Sequence, residues 1–207
     1  MNTETASLFF ALLSLLCVAA VIGIVGLALV GRSAPRSAAA DLFGDLGRVA
    51  LWLAGLVALV TTMGSLYFSQ VAGFIPCELC WFQRIAMYPL ALVLLVAAVR
   101  RDRDIWLYAV PLAAVGSVIS IYHAQLQAFP AQSSFCTSTG TPCTTRYVWE
   151  FHFVSLPFMA LTAFALIITL LLVARATDPA RADDRVVGAA GHDACEPLDS
   201  PEQVGAR

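Results

Sequence analysis

Charge is scarce in this sequence, and lysine is missing altogether. Only 13% of the 207 residues are charged, whereas soluble domains carry about 25%. All twelve basic residues are arginine, and the formal net charge of -2 is too small to indicate a nucleic-acid partner. Hydrophobic residues make up 59% of the chain, and the mean hydropathy is +0.80. The composition therefore excludes an ordinary soluble domain and indicates a membrane protein.

Long apolar runs dominate the chain, and none of them alternates with the period of two that a barrel strand requires. A bilayer core needs roughly 20 apolar residues of helix. Five runs are long enough: about 7–31, 48–72, 81–99, 105–127 and 152–174. Because an unpaired backbone in lipid must be helical, these runs predict an all-α polytopic membrane protein with five spans.

Arginine is unevenly distributed among the segments between these runs. Ten arginines fall after the first span, after the third span or in the tail, namely Arg32, Arg36, Arg48, Arg100, Arg101, Arg103, Arg175, Arg181, Arg185 and Arg207. The other side has only Arg84 and Arg146 near it. The positive-inside rule then predicts an extracytoplasmic N-terminus and a cytoplasmic C-terminus. The gaps 73–80 and 128–150 would face the extracytoplasmic compartment, where disulfides persist.

The first apolar run and the polar segment at the C-terminal end each have an interpretation of their own. The first run could be a signal peptide, with cleavage at the small residues 37–40. Against this, residues 1–7 carry no positive charge, and the run exceeds the usual apolar length of such peptides. At the other end, residues 176–207 are polar with little apolar periodicity, which predicts a disordered cytoplasmic tail.

The most informative motif is the pair Cys77 and Cys80, which lies in a short gap at the start of the third run. A C-x-x-C pair forms an easily reduced disulfide, and a thiolate near a helix N-terminus has a lowered pKa. Arg84 follows Cys80 by four residues, so both side chains share one helical face. An arginine this close to hydrocarbon usually has a partner or a function, and a thiolate or a quinone oxygen would supply negative charge. The alternative is a structural disulfide, with Arg84 extending to lipid headgroups.

A second pair, Cys136 and Cys143, lies in the polar gap 128–150, within a turn-rich segment. Alone it would be an ordinary structural disulfide, but opposite a C-x-x-C pair it indicates a thiol relay. Four cysteines could instead bind zinc. Their C-x2-C and C-x6-C spacings lack the paired knuckles of zinc ribbons, and an oxidising compartment disfavours four thiolates, so we expect no metal.

The remaining histidines and cysteines are less specific. His123, near the outer end of the fourth run, could hydrogen-bond a quinone carbonyl or simply fill a helix interface. His152 would belong to the interfacial belt with Tyr147 and Trp149. Cys17 would be an apolar residue within the first span. Cys195, in the tail, has no expected role.

Residues 48–175 resemble the DsbB/BdbC family of disulfide bond formation proteins. The most specific part of this resemblance is Cys77-Glu78-Leu79-Cys80-Trp81-Phe82-Gln83-Arg84. Tyr122-His123 before Pro130 and Trp149-Glu150-Phe151 with Pro157 are also similar to the family. The six residues between Cys136 and Cys143 resemble the BdbC type, and the first span is an addition to the family's four helices.

The resemblance implies a four-helix membrane domain at 48–175, with an extra helix at 1–31, a cytoplasmic loop at 32–47 and the tail at 176–207. It implies a thiol:quinone oxidoreductase of the bacterial inner or plasma membrane that uses menaquinone or ubiquinone. An extracytoplasmic thioredoxin-like partner of the DsbA/BdbD type would present its thiolate to Cys136. Cys143 would resolve the mixed disulfide or pass electrons to Cys77, and Cys80 would be the low-pKa cysteine that faces the quinone, aided by Arg84 and His123.

Two other functions fit parts of the pattern. A non-catalytic membrane scaffold braced by two structural disulfides would have the same cysteines. An enzyme similar to vitamin K epoxide reductase would also be a helical bundle with cysteine pairs and a quinone. In that family the loop cysteines precede the C-x-x-C pair, and the reversed order here argues against it.

Overall fold

The computed structural model describes residues 2–34, 37–130, 136 and 141–178, and this part of the chain is all-α. Its five α-helices are α1 (Thr3–Ser33), α2 (Ala38–Leu66), α3 (Glu78–Arg100), α4 (Trp106–Ala128) and α5 (Leu156–Ala176). A π-helical turn, Tyr67–Val71, extends α2. All five helices are long and apolar enough to span a membrane, which confirms the predicted polytopic all-α fold.

Helix α5 occupies the centre of the bundle. It packs against α1, α2 and α4, and touches α3 as well. Its side chains Phe164, Ile167 and Leu171 are almost completely buried. They meet Leu90 and Leu94 of α3 in the main core. In a soluble protein, burying apolar surface of this kind stabilises the fold by about 25 cal/mol per Å². In lipid, however, the close packing between helices is the main contribution to stability.

Small residues allow that close fit. The Phe164 ring lies so near Gly116 that a Cβ atom there would overlap it, so α4 and α5 approach closely at this point. Small residues at membrane helix interfaces serve this purpose generally. The contact fixes the height of α4 against the central helix, and α4 carries His123 near its far end.

Helix α2 begins earlier than the sequence predicted. We expected a loop at 32–47, but α1 continues to Ser33 and α2 starts at Ala38. The segment 38–47 is helical because its apolar members Phe43 and Leu46 pack against the main core. The connection between the first two spans is therefore short.

Helix α5 begins later than the predicted start at 152. Phe151 and His152 have positive φ angles of 51° and 66°, and Glu150 bridges to Val154, so a tight turn precedes the helix. Pro157 lies in the first turn of α5, where proline's missing N–H and fixed φ are favourable. His152 is thus an exposed turn residue, and Pro157 lies at the start of α5.

The predicted tail, 176–207, lies mostly outside the described residues, and so do Cys195, Arg181, Arg185 and Arg207. Arg36 is also outside them.

Candidate functional site

A sharp turn positions the first cysteine pair. After the π-helical turn that ends α2, Gly73 has φ +72°, a conformation that glycine adopts without steric cost. The chain then runs through Pro76 to Cys77, which is the N-cap residue of α3. The Cys77 carbonyl accepts the hydrogen bond of the Trp81 N–H at 3.1 Å. Cys80 consequently lies on the first turn of the helix, above Cys77.

The two sulfurs of this pair are in direct contact. Cys77 Sγ lies 2.9 Å from Cys80 Sγ, and both thiols are open. Cys77 is buried, whereas Cys80 is half-buried. A reduced pair at this distance needs little movement to close into a disulfide.

His123 reaches this pair from α4. Its Nε2 lies 3.6 Å from Cys77 Sγ and 3.2 Å from the carbonyl oxygen of Cys143. Since a carbonyl oxygen only accepts, Nε2 carries a hydrogen, which is shared between the Cys143 oxygen and the Cys77 sulfur. The Gln83 amide donates to Nδ1 at 3.5 Å and fixes the ring's orientation. The imidazole is therefore held as a hydrogen-bond donor to Cys77.

The surroundings of Cys77 lower its pKa to about 4. The largest cause is the hydrogen bond from the Cys80 thiol. The hydrogen bond and positive potential of the His123 ring act in the same direction, and burial opposes them. Cys77 is therefore a thiolate at neutral pH. From sequence we expected the low pKa at Cys80, but it belongs to Cys77, because both hydrogen bonds converge on that sulfur.

The second pair is closed, as a disulfide between Cys136 and Cys143. Cys143 is only 2% exposed and belongs to a small buried cluster with Cys77, Leu79 and Leu126. Cys136 and Cys80 pack against the same cluster. The structure thus brings all four cysteines together, with Cys143 next to Cys77. The short loop that carries the second pair therefore does not have to move far to bring Cys143 to the first pair.

Two side chains hold the second loop against the end of α4. Gln127 Nε2 donates to the Thr145 carbonyl at 3.0 Å, and Arg146 Nε donates to the Gln127 carbonyl at 3.1 Å. The Arg146 guanidinium also lies 4.0 Å from the centre of the Trp149 ring. A loop fixed at both of these points keeps Cys143 buried.

Arg84 has different partners from those expected. Its Nε donates to Ser65 Oγ at 3.0 Å, and its Nη2 donates to the Ser65 carbonyl at 3.1 Å. Tyr88 OH contacts the same hydroxyl at 3.2 Å. Among the described residues no carboxylate pairs with Arg84. A guanidinium in an apolar span with only neutral partners keeps its charge available to a ligand.

A large cavity opens beside Arg84. Its volume is about 640 Å³, within the range of small-molecule sites, and apolar side chains make up most of its wall. Cys80, Gln83, Arg84, Ser65 and Tyr88 form its polar part. A second, small cavity of about 20 Å³ borders both Cys77 and Cys80 and the loop residues Pro142 and Thr145. Cys80 therefore faces the large cavity, and Cys77 faces the loop.

Metal binding has one possible location among the described residues. The ligand atoms of Cys77, Cys80 and His123 lie within 4.8 Å of one another, a set that suits Zn²⁺ when both thiols are reduced. Cys136 and Cys143 are joined to each other and are not ligands of this cluster. The four-cysteine zinc site considered from sequence is thus absent from the described residues.

Sequence reasoning missed several contributors to this site. Gln83, Ser65 and Gln127 were not singled out, although each is a polar residue within or beside an apolar run. That signal alone could have marked Gln83, which is 8% exposed and lies between Cys80 and Arg84 in the motif. Cys17 also lines the large cavity, where we expected only an apolar residue in lipid.

The chain is similar in sequence to known proteins. The family described as disulfide bond formation protein DsbB matches residues 47–174. Disulfide bond formation protein C of Bacillus subtilis is 48% identical over 122 residues, which is 58% of this chain and 88% of that protein. The probable disulfide formation protein C of Halalkalibacterium halodurans is 43% identical over 122 residues, 58% of this chain and 89% of its own.

A third relative, the probable disulfide formation protein C 1 of Bacillus cereus, is 45% identical over 116 residues, 56% of this chain and 84% of that protein. No solved structure matches the chain. The family match covers more than half of the sequence and includes both cysteine pairs. It confirms the resemblance, and with it the prediction of a disulfide bond formation protein with membrane helices. The chain belongs to the DsbB family of disulfide bond formation proteins.

Proposed function

We propose that this chain is a thiol:quinone oxidoreductase that reoxidises an extracytoplasmic thioredoxin-like protein of the DsbA/BdbD type. It would thereby support disulfide formation in exported proteins. The observation that carries the proposal is the position of the first cysteine pair between two different surroundings. Cys77 lies against the loop that holds Cys143, and Cys80 lines the large apolar cavity. A dithiol placed in this way receives electrons on one side and releases them on the other.

The proposed setting is the bacterial plasma membrane, with both cysteine pairs extracytoplasmic and the C-terminus cytoplasmic. The domain at 48–175 would carry the reaction, and the helix at 1–31 would be an addition to it. The arginine distribution supports this orientation. Arg103, in the loop between α3 and α4, donates to the carbonyls of Ala174 and Thr177 at the end of α5. The loop between α3 and α4 thus meets the C-terminal end of α5, at the end of the bundle opposite the cysteines.

Electrons would enter at Cys136. A partner thiolate attacks Cys136 Sγ, the bond between Cys136 and Cys143 breaks, and Cys143 leaves as a thiolate. Cys136 is the better target because it is half-buried, whereas Cys143 is 2% exposed. The product is a mixed disulfide between the partner and Cys136.

Transfer to the first pair would follow. With Cys77 and Cys80 oxidised, the Cys143 thiolate attacks Cys77 Sγ, and Cys80 leaves as a thiolate. The second thiol of the partner then attacks its own mixed disulfide and releases Cys136. When Cys136 attacks Cys143, the loop disulfide closes again and Cys77 leaves as a thiolate. The closed loop pair and open first pair of the structure correspond to this stage.

His123 and Gln83 would assist this exchange. A thiol with a low pKa is a better leaving group. The hydrogen bond from Nε2 stabilises the Cys77 thiolate as it departs, and Gln83 keeps that nitrogen in place. Because Nε2 also contacts the Cys143 carbonyl, His123 ties the orientation of the loop to the first pair.

The large cavity fits a quinone. When bound there, menaquinone or ubiquinone would accept two electrons and two protons for each dithiol converted to a disulfide. The cavity is mostly apolar, and its polar part contains Arg84 without a carboxylate partner. Arg84 would hold an oxygen of the quinone head and stabilise negative charge on it, while Ser65, which Tyr88 contacts in turn, fixes the guanidinium.

Thiol trapping in membrane vesicles tests the proposal. Vesicles are incubated with a reduced thioredoxin-like partner, with and without added quinone, and free thiols are then alkylated and counted by mass. We expect Cys77 and Cys80 to become labelled without quinone and protected when it is restored. Cysteines that stay closed under both conditions would indicate structural disulfides and a scaffold. The Cys195→Ser variant removes the background from the tail.

A further inference from the structure

Helix α1 lies outside the family match, which begins at residue 47, so a role for it has to come from its contacts. Among the described helices α1 packs against α2 and α5 only. It is also the least buried helix, with 11% of its most apolar window buried. A helix that served only as an anchor would need no specific contacts with the rest of the chain.

Specific contacts nevertheless fix α1 at the cysteine end of the bundle. Ser7 Oγ donates to Glu150 Oε1 at 2.7 Å and links α1 to the turn before α5. Phe10 lies over Gly64 of α2, where a Cβ atom would be 2.6 Å from the ring. These contacts set both the height and the rotation of α1.

An aromatic row continues from Phe10 across this end of the bundle. Phe10 contacts Phe68, Phe68 stacks on Phe74, and Phe74 stacks on Tyr147, with centroid distances of 5.4, 5.6 and 4.7 Å. All four rings line the large cavity. The row therefore lies along the cavity wall and joins α1 to both cysteine-bearing segments.

Helix α1 also forms one long wall of the same cavity. A single stripe of its side chains lines it, consisting of Phe10, Leu13, Ser14, Cys17, Ala20 and Ile24. At 1.5 Å per residue this stripe extends about 21 Å along the helix axis. The polar part of the cavity, with Cys80 and Arg84, therefore continues into a long apolar part that α1 covers.

Between α1 and α2 the wall of the cavity includes side chains that are also exposed on the outer surface of the bundle. Leu16, Leu56 and Val60 line the cavity and are 65%, 53% and 37% exposed. A molecule dissolved in the bilayer could enter between these side chains without crossing water.

We infer that α1 completes a subsite for the isoprenoid tail of the membrane quinone, turning a groove on the four-helix domain into a covered cavity. The inference rests on the proposed function, because the polar part of the cavity selects a quinone head rather than a phospholipid. Helix α1 then determines how tightly a tailed quinone binds, and it has little effect on a quinone without a tail.

Cys17 provides a direct reporter of occupancy. In the oxidised Cys195→Ser variant both cysteine pairs are closed, so Cys17 is the only free thiol. A lipid-soluble N-alkylmaleimide should label it, and a quinone with a long isoprenoid tail should slow labelling about tenfold. A tail-free quinone of the same head group should leave the labelling rate unchanged. Protection by a phospholipid analogue equal to that by the tailed quinone would overturn the inference in favour of a lipid acyl chain.

Two substitutions on α1 form a matched pair. Ser14 is 3% exposed and lines the cavity, whereas Leu12 is 52% exposed and does not line it. We expect Ser14→Leu to weaken equilibrium binding of the tailed quinone about tenfold and to leave tail-free binding unchanged. Leu12→Phe should change neither.

Different outcomes of these binding experiments would contradict the tail subsite and the proposed function. Equal loss of tailed and tail-free binding in Ser14→Leu, or no loss of either, would overturn the subsite. Failure of the unsubstituted chain to bind any quinone would instead overturn the proposed function.

Discussion

The two cysteine pairs lie in one cluster but are held in different ways. Cys77 and Cys80 lie on the N-cap and first turn of a helix, whereas Cys136 and Cys143 lie in a loop anchored to the end of α4. Each pair has an arginine that donates to a backbone carbonyl and contacts a tryptophan ring. Arg84 does so with Ser65 and Trp81, and Arg146 does so with Gln127 and Trp149.

The difference between the pairs lies in what each arginine faces. Arg84 lines the large cavity, whereas Arg146 braces the loop from outside it. The helix-held pair thus has a charged group available for a ligand, and the loop-held pair has a charged group used for anchoring. Similar contacts of an arginine can therefore serve a reacting site in one place and hold a loop in position in another. The substitutions below test the distinction.

Removing the reacting sulfurs should have the largest effect. Cys80→Ser and Cys136→Ser should each lower turnover with a reduced partner and a soluble quinone by at least about 10³-fold, as loss of a nucleophile usually does. Cys136→Ser should accumulate a disulfide between Cys77 and Cys143, visible by mass after alkylation, because its Cys143 thiolate can still attack the closed first pair but no Cys136 remains to resolve the product. Cys195→Ser is the control. Absence of that species from Cys136→Ser would contradict the proposed order of transfer.

The arginines should separate the two halves of the reaction. Arg84→Met removes a charged hydrogen-bond donor from the cavity. Loss of such a hydrogen bond costs about 1.5–3 kcal/mol, so quinone reduction should be roughly 10–100-fold slower. Partner exchange should be nearly unchanged. Arg146→Met should slow partner exchange and leave quinone reduction intact, as measured by stopped-flow absorbance of each half-reaction. Unchanged quinone kinetics in Arg84→Met would remove Arg84 from the mechanism.

The pH dependence of alkylation should distinguish His123. Since the pKa of Cys77 is lowered to about 4, its thiolate persists above that pH and is lost as the pH falls through it. Iodoacetamide labelling of the reduced pair should therefore be constant from pH 6 to 8. In His123→Ala the pKa of Cys77 rises, so labelling should begin to fall at a higher pH than in the unsubstituted chain. His152→Ala, at an exposed turn position, should keep the original profile. A shared midpoint in all three proteins would contradict the role of His123.

The smallest effect concerns the anchoring of the loop. Gln127→Leu removes the hydrogen bond to the Thr145 carbonyl, a loss of about 1 kcal/mol, and keeps the backbone carbonyl that Arg146 uses. Transfer from the loop pair to the first pair should slow roughly fivefold, with quinone reduction unaffected. Rapid-quench trapping of the intermediates measures this step. An equal slowing of both half-reactions would indicate general destabilisation of the bundle.

Much of the fold was predictable from the sequence. Five apolar runs separated by arginine-rich or cysteine-bearing gaps predicted five helices, and the C-x-x-C pair with Arg84 resembled the family that the match confirms. The predicted helix bounds differed where local chemistry competes with hydropathy. Pro157 and the positive φ angles of Phe151 and His152 delay α5, and half-buried Phe43 and Leu46 extend α2.

Long-range contacts were not predictable from one sequence. The hydrogen bond from His123 to Cys77 joins residues 46 apart, and no spacing rule links them. The low pKa at Cys77, where we expected it at Cys80, comes chiefly from the hydrogen bond of the Cys80 thiol, and the His123 contact adds to it. The cavity wall formed by α1 is a similar case, because packing of α1 on α2 and α5 decides it. The roles of the site residues themselves stay predictions.

The shared hydrogen of His123 has a consequence for observation. One N–H group touches both the sulfur of Cys77 and the carbonyl of Cys143, so its resonance should respond to the redox state of either pair. A single ¹⁵N-labelled imidazole could therefore follow electrons as they move from loop to helix, without a chromophore or a labelled partner.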